Sequence, residues 1–443
     1  MFKTLRNAWS IADLRKKLIF TMLILLLYRI GNVIPVPFVE TDMMREYFNS
    51  SLNNTIFGLY NAMSGSAFSR ASVLALGIQP YINASIIIQL LTIAIPALER
   101  MAKEEGEAGK KKIERITRYT TVGLGLLLGF AYWTMISKSG YNILSGTAAN
   151  SPVLSAIVII LAFTAGSTVV MWLGEQITEH GIGNGISMIL FANIIAGLPS
   201  MVGTAYSGLT TGFTVETAAG YELVKFQWWH LVIISVIMLA TVVFVVFVND
   251  AERRININYA KRVVGRKVYG GQNTNLPIKV SMSGVMPVIF AQSIVSIPGT
   301  VAQFTSAKHG WWYWNLFQPT GWIYVVLYGL LIFFFSWFYS TIQYDPVEIS
   351  NNLKKNGGFI PGFRPGKPTA DFIKKVINKI LVFGAVYLAV VALLPMIGNI
   401  AIKAAQFLAV GGTSLIIVVG VALETVKALE AQMLMRHYKG FLD

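Results

Sequence analysis

The chain has 443 residues, 54% of them hydrophobic and only 13% charged, with a net charge of +15. A soluble protein of this length would carry roughly twice that charged fraction, so the composition excludes a soluble globular class and implies a many-spanning helical membrane protein with no separate soluble domain. Cysteine is absent, which excludes disulfides, thiol catalysis and cysteine metal sites. His180, His230, His309 and His437 are scattered without metal-ligand spacing, so no metal and no cofactor is expected.

In chain order, Lys3, Arg6, Arg15, Lys16 and Lys17 precede the first apolar run. No small-residue cleavage site follows, so this run reads as a retained first span. Runs near the ~20 residues that cross a bilayer recur along the chain. They predict helices over 18–34, 72–95, 116–137, 153–173, 183–203, 229–248, 284–304, 322–342, 376–397 and 404–424. The N-terminus and the connections 96–115, 249–283 and 343–375 are rich in Lys and Arg, whereas the alternate connections each carry one or two. By the positive-inside rule both termini are cytoplasmic, and an even number of spans agrees. The basic connections 249–283 and 343–375 are too long for simple turns. They suit contact with anionic lipid head groups and, favoured by their length, docking of a large acidic or RNA-containing partner.

No motif for a reaction is found. The glycines of "EHGIGNGIS" (179–187) lack the preceding strand and the following Lys-Ser/Thr of a phosphate loop. They read as a cytoplasmic turn that opens the fifth helix with exposed N–H groups. Span centres are almost free of charge: Arg29 lies toward the outer end of its helix, where it can snorkel, and Glu175 and Glu424 lie near cytoplasmic ends. Coupled transporters usually keep such a charge at mid-membrane. That counts against a secondary transporter of small solutes, which stays the alternative reading because inverted repeats and broken helices occur there too, with a structural membrane scaffold as a third.

Five segments carry a family resemblance: "SRASVLALGIQPYINASIIIQLL" (69–91), "GIGNGIS" (181–187), "NYAKRVVGRKVYGGQNTNLPIKVSMSGVMPVIFA" (258–291), "IPGFRPGKPTA" (360–370) and "GGTSLIIVVGVALE" (411–424). Together they resemble bacterial SecY, the channel-forming subunit of the Sec protein translocon. The resemblance covers nearly the whole chain in the family's order. It implies an all-α integral membrane protein with ten transmembrane helices in two pseudo-symmetric inverted halves, 1–203 and 204–443, around a central hourglass pore. The expected function is translocation of unfolded polypeptide across, and lateral release of membrane segments into, the bacterial cytoplasmic membrane. Implied partners are SecE, SecG, the SecA motor ATPase, the ribosome, secretory preproteins with their signal sequences, and membrane lipids. The chain itself is not expected to be an enzyme.

The resemblance also assigns roles by residue. Ile78, Ile82, Ile186, Leu190, Ile289 and Ile417 become the pore ring, with Leu190 in place of a commoner isoleucine. Branched alkyl groups offer water and ions no polar partner, so a narrow ring of them dewets. The segment "TIFGLYNAMSGSAFSR" (55–70) becomes the plug, its small residues suiting loose packing. The second and seventh helices become the lateral gate, where Gln89 is expected to hydrogen-bond Gln292 or Ser293. Gln79, Pro80 and Asn83 are expected to face a water-filled funnel, with Pro80 permitting a bend. Arg364, in the Pro- and Gly-rich tip of the 343–375 connection, becomes the leading motor and ribosome contact. Arg253, Arg254, Lys261, Arg262, Arg266 and Lys267 are its companions.

Overall fold

The computed structural model describes residues 2–52, 56–139, 141–145, 151–210, 213–217, 220–224, 227–259, 262–264, 267–269, 273–282, 284–302, 321–401 and 412–439. A short amphipathic helix α1 (Phe2–Ser10) leads into α2 (Ala12–Gly31), followed by α3 (Thr41–Tyr47) and the small helix α4 (Ile56–Met63). Then come α5 (Gln79–Ala94), α6 (Pro96–Lys103), α7 (Gly106–Ser137), α8 (Pro152–His180) and α9 (Gly185–Thr210). After the hairpin β1–β2 (Phe213–Thr217, Gly220–Val224), α10 (Trp228–Asp250) returns the chain to strands β3 (Glu252–Tyr259), β4 (Arg262–Val264), β5 (Lys267–Tyr269) and β6 (Asn273–Lys279). The rest is α11 (Met286–Ala302), α12 (Trp322–Gln343), α13 (Pro346–Lys355), β7 (Gly358–Phe359), α14 (Lys367–Ala401) and α15 (Gly412–Lys439).

Each expected span overlaps one of these helices: α2, α5, α7, α8, α9, α10, α11, α12, α14 and α15. Part of the seventh (303–304) and the start of the tenth (404–411) lie outside the described residues. Among the described residues four runs are individually long and apolar enough to cross a bilayer: Gly106–Ser137, Pro152–His180, Trp322–Lys355 and Lys367–Leu394. The outward faces are apolar as lipid requires, with Met22, Leu23, Leu26 and Leu27 exposed on α2 and Val236, Leu239, Val243 and Phe247 on α10. Lipid tails give these faces no reason to pair, so helix association rests on close packing and polar contacts. One close approach joins α8 to α9, where a Cβ on Gly185 would collide with the Gly174 carbonyl.

Three local expectations are corrected. Pro80 does not bend its span: it lies in the first turn of α5, where its missing N–H has no intrahelical acceptor to lose. The bend falls instead at Pro96, where α5 and α6 turn through 106°. The turn before α9 does not expose its N–H groups, because Asn184 Oδ1 accepts from Ile186 N at 3.0 Å and Ser187 N at 3.3 Å, while Thr178 Oγ1 accepts from Gly185 N.

The third correction concerns the basic connections, which form a folded unit. Strands run in the order β6–β3–β7, all antiparallel, so β7 of the second connection hydrogen-bonds to β3 of the first. β3 alternates, burying Ile255 and Ile257 and exposing Arg253, Arg254 and Asn256. Those isoleucines join Ile278, Leu353 and Ile360 in a second cluster that continues onto the α14 span through Ile373, Ile377 and Leu381. The all-α expectation therefore holds for the spans, while the connections between them add strands that pack onto α14.

Candidate functional site: an apolar constriction and a plug seat

All six ring candidates belong to one apolar cluster among the spans. Ile78, Ile82, Leu190, Ile289 and Ile417 are buried and Ile186 is packed against them. Ile78 precedes the first helical residue of α5, yet Ile82 N donates to Ile78 O at 3.1 Å, which keeps the two side chains one turn apart. Gly174 of α8 gives this corner its room: a Cβ there would lie 3.6 Å from Ile78, Ile186 and Ile189 alike. Met63, the last residue of α4, belongs to the same cluster, so the small helix ends against the ring candidates.

The α4 helix packs against α9 and α11. Its surroundings are not loose. Phe57 stacks on Phe68 at 5.5 Å, Phe68 meets Tyr132 edge-on at 4.7 Å, and the Tyr132 hydroxyl donates to Phe68 O at 2.6 Å. A mostly apolar cavity of about 50 Å³ remains between α4, the start of α5 and α7. The small residues of 64–67 thus form the exit turn, while aromatic groups seat the segment. Thr55 lies outside the described residues.

Polar side chains converge on the end of α4. Asn193 Nδ2 donates to Met63 O at 2.7 Å, Asn32 Nδ2 to Ser64 O at 3.2 Å, and Arg29 Nη1 to Gly65 O at 3.4 Å. Arg29 Nη2 also donates to Ala192 O at 2.8 Å. Arg29 therefore turns inward rather than snorkelling, with its two terminal nitrogens on two backbone carbonyls, Gly65 O and Ala192 O. Gln79 is likewise buried rather than facing water, with Nε2 donating to Met63 Sδ at 3.2 Å, and Asn83 Oδ1 is buried without a partner.

At the expected gate, α5 and α11 are in contact. Gln292 and Ser293 are buried, and Gln292 is hydrogen-bonded with Tyr324. Gln89 is half-buried, and no hydrogen bond joins it to Gln292 among the described residues. Gln292 Oε1 is buried without a hydrogen-bond partner.

On the strand-bearing unit, Arg364 is exposed on a tip whose backbone is held from both sides. Ser350 Oγ donates to Gly366 O and Thr369 Oγ1 to Arg364 O, both at 2.8 Å, and Phe363 stacks on Phe372 with centroids 4.2 Å apart. Gly362 and Gly366 take φ of +86° and +106°, conformations that side chains other than glycine's rarely adopt. Arg253 and Arg254 are exposed on β3, Arg254 paired with Glu252 at 2.7 Å. Arg262 and Lys267 lie on the β4–β5 hairpin, and Lys261 and Arg266 lie outside the described residues. No group of three or more His, Cys, Asp or Glu suited to a metal occurs among the described residues.

Comparison with known proteins agrees with this arrangement. The family model described as SecY matches residues 72–426. The protein translocase subunit SecY of Streptomyces coelicolor is 42% identical over 450 residues, covering 100% of both chains. That of Thermotoga maritima is 42% identical over 453 residues, covering 100% of this chain and 98% of its own. A solved structure described as "The structure of a protein conducting channel" superposes with a TM-score of 0.61 at 19% identity, over 94% of this chain and 92% of that one. "Sec61 in the Canine ribosome-channel complex from the endoplasmic reticulum" gives 0.57 at 17% identity, over 94% and 92%.

Proposed function

The chain belongs to the SecY family, the multi-pass membrane channel of protein translocation, and from that premise we propose how its residues conduct polypeptide. The ring of Ile78, Ile82, Ile186, Leu190, Ile289 and Ile417 is the seal. A single observation carries this reading: side chains contributed by α5, α9, α11 and α15 converge in one buried apolar cluster. Branched alkyl groups can part around an extended chain, yet they leave water and ions nothing to bind when closed. The segment 55–70 is the plug, and the α5–α11 contact is the lateral gate.

The halves 1–203 and 204–443 flank this pore. Both ends of the chain lie on one face, since Thr4 Oγ1 donates to Glu430 Oε1 at 3.1 Å and Lys17 Nζ to Gln432 Oε1 at 3.5 Å. Ends on one face require an even number of crossings. The basic connections make that face cytoplasmic by the positive-inside rule, at the bacterial cytoplasmic membrane. The chain performs no chemistry of its own. Energy comes from a SecA-type motor or from ribosomal chain elongation, and SecE and SecG complete the assembly. Arg364 presents a planar fork of donors that fits a carboxylate or an RNA phosphate in two-point contact.

The experiment uses the absence of cysteine. A single cysteine or photoreactive residue at position 82 or 289 is crosslinked to a secretory chain stalled in transit. Adducts at both positions are expected, and none at either would overturn the ring. For docking, Arg364→Glu is expected to leave insertion and abundance unchanged, within the roughly ±0.5 kcal/mol of an ordinary surface substitution, while motor-driven export stops. Normal export rates in that variant would remove Arg364 from the docking surface.

A further inference from the structure

We propose that Arg29, Asn32 and Asn193 are a clasp that holds the plug in its closed seat by capping the carbonyl end of its helix. This rests on the reading of 55–70 as the plug. The last carbonyls of any helix lack intrahelical partners, and buried carbonyls without partners are costly where water is excluded. Here three consecutive ones, Met63, Ser64 and Gly65, each receive a donor from a different side chain. None of the donors belongs to the plug: Arg29 ends α2, Asn32 follows it, and Asn193 lies on α9.

The arrangement is specific in three ways. The guanidinium bridges two elements, with one nitrogen on the plug's Gly65 and the other on Ala192 of α9. Its positive charge stands at the negative end of the plug helix, the favourable pairing with the helix dipole. Asn193 is oriented by a second bond, Nδ2 to the Tyr28 hydroxyl at 2.8 Å, which ties the donor's aim to α2. Gly65 completes the fit. It has φ +67°, and a Cβ there would lie 2.6 Å from Arg29 Nη1 and 2.8 Å from Asn193 Oδ1. The glycine is thus required both by its backbone conformation and by the approach of the clasp.

Such a clasp acts on the closed state alone. When the plug leaves, the three carbonyls and the guanidinium must find water together, so the bonds oppose displacement and do not hinder conduction once the plug is out. The three are positioning residues for gating and touch no substrate in this arrangement.

The test measures resting ion leak of the assembled channel in planar bilayers for Arg29→Gln, Asn32→Leu, Arg29→Lys and a deletion of 56–66. Loss of a hydrogen bond to a charged group predicts about a tenfold rise in leak for Arg29→Gln. A smaller rise is expected for Asn32→Leu, and Arg29→Lys, which keeps the charge and one donor, should fall between wild type and Arg29→Gln. Abundance and open-state conductance should stay at wild-type values, which a general loss of folding would not allow. Wild-type leak in Arg29→Gln and Asn32→Leu, with a leaking deletion, overturns the clasp and leaves the plug. A tight deletion overturns the plug reading itself. Should Arg29→Gln fail to accumulate, Asn32→Leu decides, and a wild-type leak there overturns the proposal.

Discussion

Two turns of α9 carry opposite chemistries. Ile186 and Leu190 belong to the apolar cluster proposed as the constriction, and Asn193, one turn further on, belongs to the polar contacts proposed as the plug's seat. The constriction is held by dispersion, which has no preferred direction and falls off gradually as side chains part. The seat is held by hydrogen bonds that weaken steeply with misalignment. A yielding seal adapts to whatever chain passes through it. A directional one is either made or broken. Placing the two in series on one helix lets the molecule be tolerant toward cargo yet decisive about being shut.

Emptying the constriction should have the largest effect. Replacing Ile82, Ile289 and Ile417 with glycine removes the branched groups while leaving the seat intact. If the lost barrier is about 3 kcal/mol, resting conductance in bilayers rises roughly a hundredfold. Unchanged conductance would mean that the plug seat alone seals the channel. Gly65→Ala should come next. A left-handed residue with a side chain costs about 1–2 kcal/mol, and the methyl also collides with Arg29 and Asn193, so leak should rise about tenfold. If the leak does not rise, the approach of Arg29 is incidental. The smallest effect belongs to Gln89→Leu. With no hydrogen bond to Gln292 to lose, resting leak should change by less than about twofold, within the ~0.5 kcal/mol of an ordinary substitution. A large rise would show that Gln89 pairs across the gate in a conformation other than this one.

The spans were legible because the bilayer fixes their length, and the basic connections because charge resists crossing. The ring residues are proposed from family motifs, not from periodicity: a lone isoleucine in a membrane helix says only that it packs. Arg29 shows where such reasoning stops. Depth along the helix favoured snorkelling, but its partners are backbone carbonyls of residues 65 and 192, which no side-chain pattern announces. Pro80 and Pro96 look alike in sequence and differ only in whether helix precedes them. The strand β3 did carry a signal, the alternation of "ERRININY" (252–259), hidden by the all-α expectation. Gln89 marks a third limit: which of several polar groups pairs across a contact depends on rotamers that spacing does not encode.

The sheet shared by the two basic connections has a mechanical consequence. β7 lies a few residues from Arg364, is hydrogen-bonded to β3, and β3 is bonded along its length to β6. Only residues 280–285 then separate β6 from α11, which carries Ile289 and contacts both α5 and the small helix α4. A force applied at the tip would therefore pass through these paired strands before it reached that span. The same arm works in reverse, so movement in the membrane is reported at the surface where a motor would grip.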